Sequence, residues 1–313
     1  MKKVVLALSF WILFTVPTFL GLGTPSAFAD SSREYTSRRV TVVVSAPLRP
    51  YLEALKGLSA SLAHLGFQSS QPITLPQDTQ GDFRAVQTEL LRLSADAFIS
   101  IGPEALPVVE NVSRTRNLPW VYTMVLDPTK LVSQTGSTPC GVSLSLPAAE
   151  QIQAIARTFP QKKHLGVFYS TAANRDFLQE AQRHAENLGL TLHPVTVTGP
   201  KDVPDRLSRS LPHLDALWII PDPAIDSRAL VEYLVETALL HKVPSIGYNR
   251  YFLEAGAAMA FVLDYEKIGA ATAMLLDLYL RSNQCPEAVP AYDVLVNEHV
   301  MRRLLDHSKE EKR

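Results

Sequence analysis

Two successive runs of short apolar segments alternating with helical ones constrain this 313-residue chain more than any other feature. The first run opens at 40–44 (VTVVV), a β-branched stretch of the kind buried on both faces of a sheet. Residues 51–65 follow, with Leu52, Leu55, Leu58, Leu62 and Leu65 at helical spacing and Gly66 as the stop. A strand is predicted around 72–75, a helix over 83–94, a strand at 97–101 (AFISI) and a helix after Gly102-Pro103-Glu104. A strand at 119–125 ends the run. The second run predicts helix 147–158, strand 164–169, helix 174–188, strand 190–197, helix 202–210, strand 215–220, helix 225–241 and strand 244–247. This alternation with short connections specifies α/β architecture: two doubly wound parallel-sheet lobes. The remaining strand 258–263, helix 265–281 and strand 292–296 are too few for a third lobe. They are expected to return to the two sheets, so that a multi-strand hinge joins the lobes.

The first thirty residues have a different pattern. Lys2 and Lys3 precede a long apolar stretch, and Ala27-Phe28-Ala29 is an A-x-A site, so a cleavable export signal ending at Ala29 is predicted. Pro17, Gly21, Gly23 and Pro25 interrupt the apolar stretch and favour cleavage over anchoring. There is no later apolar run of eighteen residues, so no further membrane span is expected. Thirty Lys and Arg stand against 31 Asp and Glu. That near-neutral balance argues against a nucleic-acid partner, which selects a basic surface. In an oxidising compartment Cys140 and Cys285 can pair, and the expectation is that they lie close together near the crossings between lobes. Two unpaired buried thiols are the other reading. The tail HSKEEKR is a solvated end.

The sequence carries no recognisable catalytic machinery. It lacks a G-x-S-x-G elbow, an H-E-x-x-H pair and a phosphate loop. The eight histidines are scattered, and His64, His184 and His241 read as surface or packing residues. No cofactor and no metal are expected. The strand ends are more informative, because ligands of open α/β sheets bind at the carboxyl ends of strands. Those ends carry Ser45, Gly102, Asp127, Tyr169, Ser170, Asp222, Tyr248 and Asp264, the candidate ligand-binding residues. Helices that start there aim backbone N–H groups into the crevice, and the aspartates suit a cationic group. Asp127-Pro128 and Asp222-Pro223 also read as helix-capping pairs; Asp222 and Asp264 are favoured as ligand contacts and Asp127 as partly a cap. Tyr122 and Trp218 lie inside strands and read as core rather than as ligand walls.

Several strings carry a resemblance across residues 40–305: TQGDF at 79–83, ISIGPEAL at 99–106, MVLDPTKLV at 124–132, CGVSLSLP at 140–147, HLGVFYS at 164–170, WIIPDPAI at 218–225, VPSIGYNRYFLEAGAAMAFVLDYEKIG at 243–269 and DVLVNE at 293–298. In order and spacing they resemble the ABC transporter substrate-binding proteins of the tryptophan/tyrosine-type group, which have the type I periplasmic binding fold. The resemblance implies a periplasmic, monomeric, non-enzymatic protein. It would trap a small molecule, such as an amino acid or a similar small polar or aromatic solute, and deliver it to an ABC permease in the inner membrane. A sensor of the same fold, signalling to a membrane receptor or kinase, is the alternative. The implied division is residues 40–141 plus about 264–285 for lobe one, 142–263 plus about 286–305 for lobe two, and a disordered tail over 306–313. Family ligand positions fall on Asp127, Tyr169, Asp222 and Asp264. The chain departs from the family at Gly102, where Thr is common, and at Ser170-Thr171, Pro223 and Val262-Leu263.

Overall fold

A computed structural model describes residues 38–78, 81–132 and 139–310. The predicted export signal lies outside the described residues. In chain order the elements are β1 (Arg39–Val44), α1 (Arg49–His64), β2 (Gln68–Ser69), β3 (Ile73–Thr74), α2 (Arg84–Arg92), β4 (Ala97–Ile101), α3 (Ala105–Arg116), β5 (Trp120–Val125) and β6 (Gly141–Ser143). They continue with α4 (Ala148–Thr158), β7 (His164–Tyr169), α5 (Thr171–Asn187), β8 (Thr191–Thr196), α6 (Val203–Ser210), β9 (Ala216–Ile219), α7 (Arg228–Leu240) and β10 (Ser245–Gly247). The last are α8 (Arg250–Glu254), β11 (Met259–Leu263), α9 (Tyr265–Ser282), β12 (Tyr292–Val296) and α10 (Glu298–Glu310).

The strands form two sheets. The first has the order β2-β1-β4-β5-β6, with β3 also paired to β1; the second has the order β12-β11-β10-β9-β7-β8. Every pairing is parallel except β11 with β12. Both faces of each sheet are covered, which is why the strands read as continuous apolar runs. In the first sheet Val40, Val42, Val44 and Ile99 pack with Leu58, Leu62, Ile268 and Leu276 of α1 and α9. Val43 and Phe98 face Leu90, Val109 and Val112 of α2 and α3. In the second sheet Leu165, Val167 and Trp218 meet Ile152, Ile155 and Leu178 of α4 and α5. Its other face packs Phe168, Leu217 and Ile219 on Leu207, Leu234 and Val235 of α6 and α7. Tyr122 and Trp218 are buried core residues, as their in-strand positions predict.

Several features depart from the expected pattern. The strand predicted near 72–75 is two short pieces, β2 and β3, on the same side of β1. Leu52 has helical spacing but is 48% exposed, because the buried stripe of α1 runs through Ala54, Leu58 and Leu62. β12 runs antiparallel, pairing Tyr292 with Leu263. The reason is the route of the chain. After β11 it leaves for α9, which lies along α1 of the first sheet. It then re-enters the second sheet at the edge where β11 ended, so β12 must run back against it. β6, α8 and α10 were not predicted; β6 and α8 are only three and five residues long.

The α1–α9 contact depends on glycine. A Cβ on Gly57 would lie 1.9 Å from the Glu266 carbonyl oxygen, and one on Gly269 would lie 1.9 Å from the Ala54 carbonyl oxygen. Backbone cannot yield to either. The two helices therefore touch through reciprocal glycines, with Lys56–Glu266 closing the pair at 2.8 Å.

Candidate functional site

The chain passes between the sheets three times: after β6, between β11 and α9, and between α9 and β12. These passages run side by side. Val142 bridges Ala288 in parallel, and Asp264 N–H donates to Ala291 O at 2.9 Å. Cys140 and Cys285 form a disulfide with their Cα atoms 5.7 Å apart. That resolves the choice left open by the sequence in favour of pairing, at the crossings where proximity was expected.

On the first sheet, Ser45 is buried at the end of β1. Its Oγ accepts the Ala105 N–H at 2.8 Å, so it caps the first turn of α3. Gly102 makes the turn between β4 and α3 with φ +93°, and a Cβ there would lie 2.6 Å from Ser45 Oγ and 2.9 Å from Tyr51 Cε2. Threonine at this position would meet both the backbone penalty of left-handed φ and that collision. The departure at Gly102 and the presence of Ser45 are thus one feature. Gln77 Nε2, which the sequence did not suggest, ties the Ser45 carbonyl at 2.9 Å. Asp127 follows β5 beyond a bulge at Met124, whose φ is +62°. Its carboxylate takes Thr129 Oγ1 at 2.8 Å and Lys130 Nζ at 2.7 Å. Burial pushes the Asp127 carboxyl up, but Lys130 and Thr129 outweigh it and the net pKa is lowered. No side-chain cap bond is made by Asp127. Burial, with the charges of Asp127 and Glu287, pushes the Tyr122 phenol up to about 12.

On the second sheet, Asp222 is the centre of a network. It is 5% exposed. Its Oδ2 accepts Ser170 N–H at 2.7 Å, Ser170 Oγ–H at 3.0 Å and Asn174 Nδ2 at 2.8 Å. Its Oδ1 accepts Ala224 N–H at 2.9 Å. Asn174 also donates to Pro221 O at 2.9 Å, and its backbone departs from helical values inside α5. Asn174 was missed by the sequence reading; the only signal is a poor helix former in a first turn. Tyr248 packs on Phe252 with ring centroids 4.6 Å apart. Burial, then the charges of Asp226 and Asp222, raise its pKa. The neighbouring Asn249 Oδ1 is buried with no partner. Tyr169, half-buried, ends β7.

Asp264 follows β11. Its Oδ1 accepts Lys267 N–H at 3.0 Å and caps α9, and its Oδ2 meets Lys267 Nζ at 2.8 Å. The Lys267 side chain and N–H lower its pKa. So the structure brings Ser45 with Gly102 into one group and Ser170 with Asp222 into another, while Tyr248 packs on Phe252 and Asp127 and Asp264 each hold a local lysine. All three aspartates have partners within the chain. Exposed Leu48, Leu126 and Leu131 follow β1 and β5 and add apolar surface at the same edge. An open cavity of about 560 Å³ lies on the α2–α3 flank, lined by Phe83, Arg84, Glu104, Asn111 and Leu131 among others. None of the predicted site residues lines it. Among the described residues no helix is long and apolar enough to cross a membrane.

A family model described as ABC transporter substrate binding protein matches residues 39–302. No curated protein matches the chain. Among solved structures, a ligand-free, open substrate-binding protein with adhesive properties from Clostridium difficile superposes with a TM-score of 0.68 at 20% identity, covering 85% of this chain and 94% of that one. An ABC domain in complex with L-Trp from Streptococcus pneumonia gives 0.56 at 20% identity over 85% and 94%. A periplasmic ribose ABC transporter from Conexibacter woesei gives 0.58 at 12% identity over 86% and 94%.

Proposed function

The chain belongs to the ABC transporter substrate-binding protein family, and from that premise we propose that it is an exported solute trap that closes two lobes on a small molecule and presents it to an ABC permease. Its fold is that of type I periplasmic binding proteins. The observation that carries the proposal is the triple crossing. Three adjacent passages, tied by Val142–Ala288, Asp264–Ala291 and Cys140–Cys285, run between the two sheets and would serve as the hinge of the proposed trap. A ligand that touches both sheets favours the closed state by the affinity it gains there.

In this reading lobe one is 40–141 plus 264–285 and lobe two is 142–263 plus 286–305. The cleft residues are Ser45, Gly102, Asp127, Tyr169, Ser170, Asp222, Tyr248 and Asp264. Their division of labour follows from their bonding. Ser45, Asp222 and Asp264 hold loops and helix starts in place, and Tyr169, Tyr248 and exposed Leu48 and Leu126 offer contact surface. Family members bind solutes rather than transform them, and the same is proposed here. Export after cleavage at Ala29 into the periplasm, and action as a monomer, complete the proposal. L-Trp and D-arabinose, bound by two structural neighbours, are the first solutes to add.

The test has two steps. Small molecules released from gently purified protein are identified by mass spectrometry. The purified solute is then added back during small-angle scattering. Compaction at saturating solute is expected, and an unchanged profile counts against a trap.

A further inference from the structure

The second sheet carries a histidine cluster at the edge opposite the strand ends discussed above. His164 is the first residue of β7 and His193 the third of β8, the outermost strand. His193 stands directly opposite Gly166, two residues along from His164, so both imidazoles share a face. Gly166 puts no side chain between them. His164 Nδ1 and His193 Nε2 share a hydrogen bond at 3.0 Å, with ring centroids at 5.2 Å, and a cation would replace that bond. At metal–nitrogen distances of about 2.0–2.1 Å, nitrogens 3.0 Å apart subtend about 90–97° at a common cation. That is the angle between adjacent positions of an octahedral or square-planar site.

The surroundings are of mixed charge, with Lys162 acting on the nearby Asp215 carboxylate. Asp215 supplies negative charge beside the pair, its Oδ2 accepting the His164 backbone N–H at 2.9 Å and that of Lys163 at 2.8 Å. His213, exposed and two residues from Asp215, lies within electrostatic reach of His193. We propose that His164 and His193 form a surface chelate for a borderline divalent first-row cation, the class that favours imidazole nitrogen. Each ring would carry its single proton on its other nitrogen and turn its free lone pair to the metal. Among the described residues no three His, Cys, Asp or Glu side chains already converge on one point, so water fills the remaining positions. The bound ion clips edge strand β8 to β7. The β7–β8 ladder is complete without it, since Thr191 N–H and Val197 N–H donate to the Lys163 and Tyr169 carbonyls and Pro194 turns its nitrogen away from β7.

Calorimetric titration of untagged protein with NiCl2 near pH 7.5 tests this, since imidazole must be neutral to ligate. One saturable Ni2+ site per chain is expected. His164→Ala and His193→Ala should each weaken it about tenfold or more, because even changes one shell further out cost about 10–100-fold. His241→Ala, at the residue that follows α7 and contacts Thr237 O through its own Nδ1, should leave it unchanged. Both variant sites are at least partly exposed, so metal-free melting temperatures should match the parent. The proposal is overturned if no saturable site is found, if the His164→Ala/His193→Ala double variant keeps the parent affinity, or if His241→Ala weakens binding as much as either.

Discussion

Replacing Asp222 separates a structural clamp from a free ligand carboxylate. The side chain is 5% exposed and accepts four hydrogen bonds from Ser170 N, Ser170 Oγ, Asn174 Nδ2 and Ala224 N. Asp222→Ala strands two backbone N–H groups in the interior along with a side-chain amide. Each orphaned buried donor costs about 1–3 kcal/mol, and relaxation with water entry brings the expected total to about 3–5 kcal/mol. Asp222→Asn keeps the shape. Its oxygen can take the three donors now on Oδ2, but its NH2 then faces the Ala224 N–H, at a cost of about 1–3 kcal/mol. In a chain of this size 1 kcal/mol moves the melting temperature by about 2–4 °C. Asp222→Ala should therefore melt at least about 6 °C below the parent, with Asp222→Asn between them. Urea denaturation should show the same order in midpoint with unchanged slope. An Asp222→Ala variant within about 2 °C of the parent would refute the clamp and return Asp222 to the pool of free ligand contacts.

The other predictions concern the hinge, the helix contact and acid. The Cys140–Cys285 bridge spans a sequence separation of 145, so Cys140→Ser/Cys285→Ser should lose about 2–5 kcal/mol by denaturant titration; no loss would mean that the cross-link does not constrain the unfolded chain. Gly57→Ala and Gly269→Ala each drive a Cβ to 1.9 Å from a carbonyl oxygen, and each should cost about 1–3 kcal/mol or more, with parent-like melting as the refuting result. Arg84 holds the Asp82 carboxyl at about 2, and the carboxyls of Asp127, Asp215 and Asp264 are also lowered. Groups depressed on folding stabilise above their unfolded pKa near 3.9 and lose that contribution as pH falls through the folded values. Stability measured by circular dichroism should hold down to about pH 4 and decline between about 4 and 2; stability that rose over that window would contradict the sign.

Periodicity along the chain was sufficient wherever an element packs on both faces. VTVVV, AFISI and HLGVFY are strands because helices cover both sides of each sheet, and a run of β-branched and apolar residues has no other comfortable place. The strand ends were legible for the same reason, since turn residues must follow such runs. Whether a residue there is free or committed was not legible. Asp222 reads in sequence as a ligand contact or a cap and Asp264 as a ligand contact, yet Asp222 is filled by donors 48 to 52 residues away as well as by its own cap, and Asp264 by Lys267.

The sequence by itself determined the two α/β halves and the existence of elements that return between them. It left undecided what depends on partners distant along the chain. The disulfide joins residues 145 apart. Gly57 meets Glu266 and Gly269 meets Ala54 across more than two hundred residues. The direction of β12 is set by the side from which the chain re-enters, and His164 meets His193 only because β7 and β8 pair in one register. Local propensity acts over a few residues, whereas these contacts arise when packing fixes which surfaces are brought together.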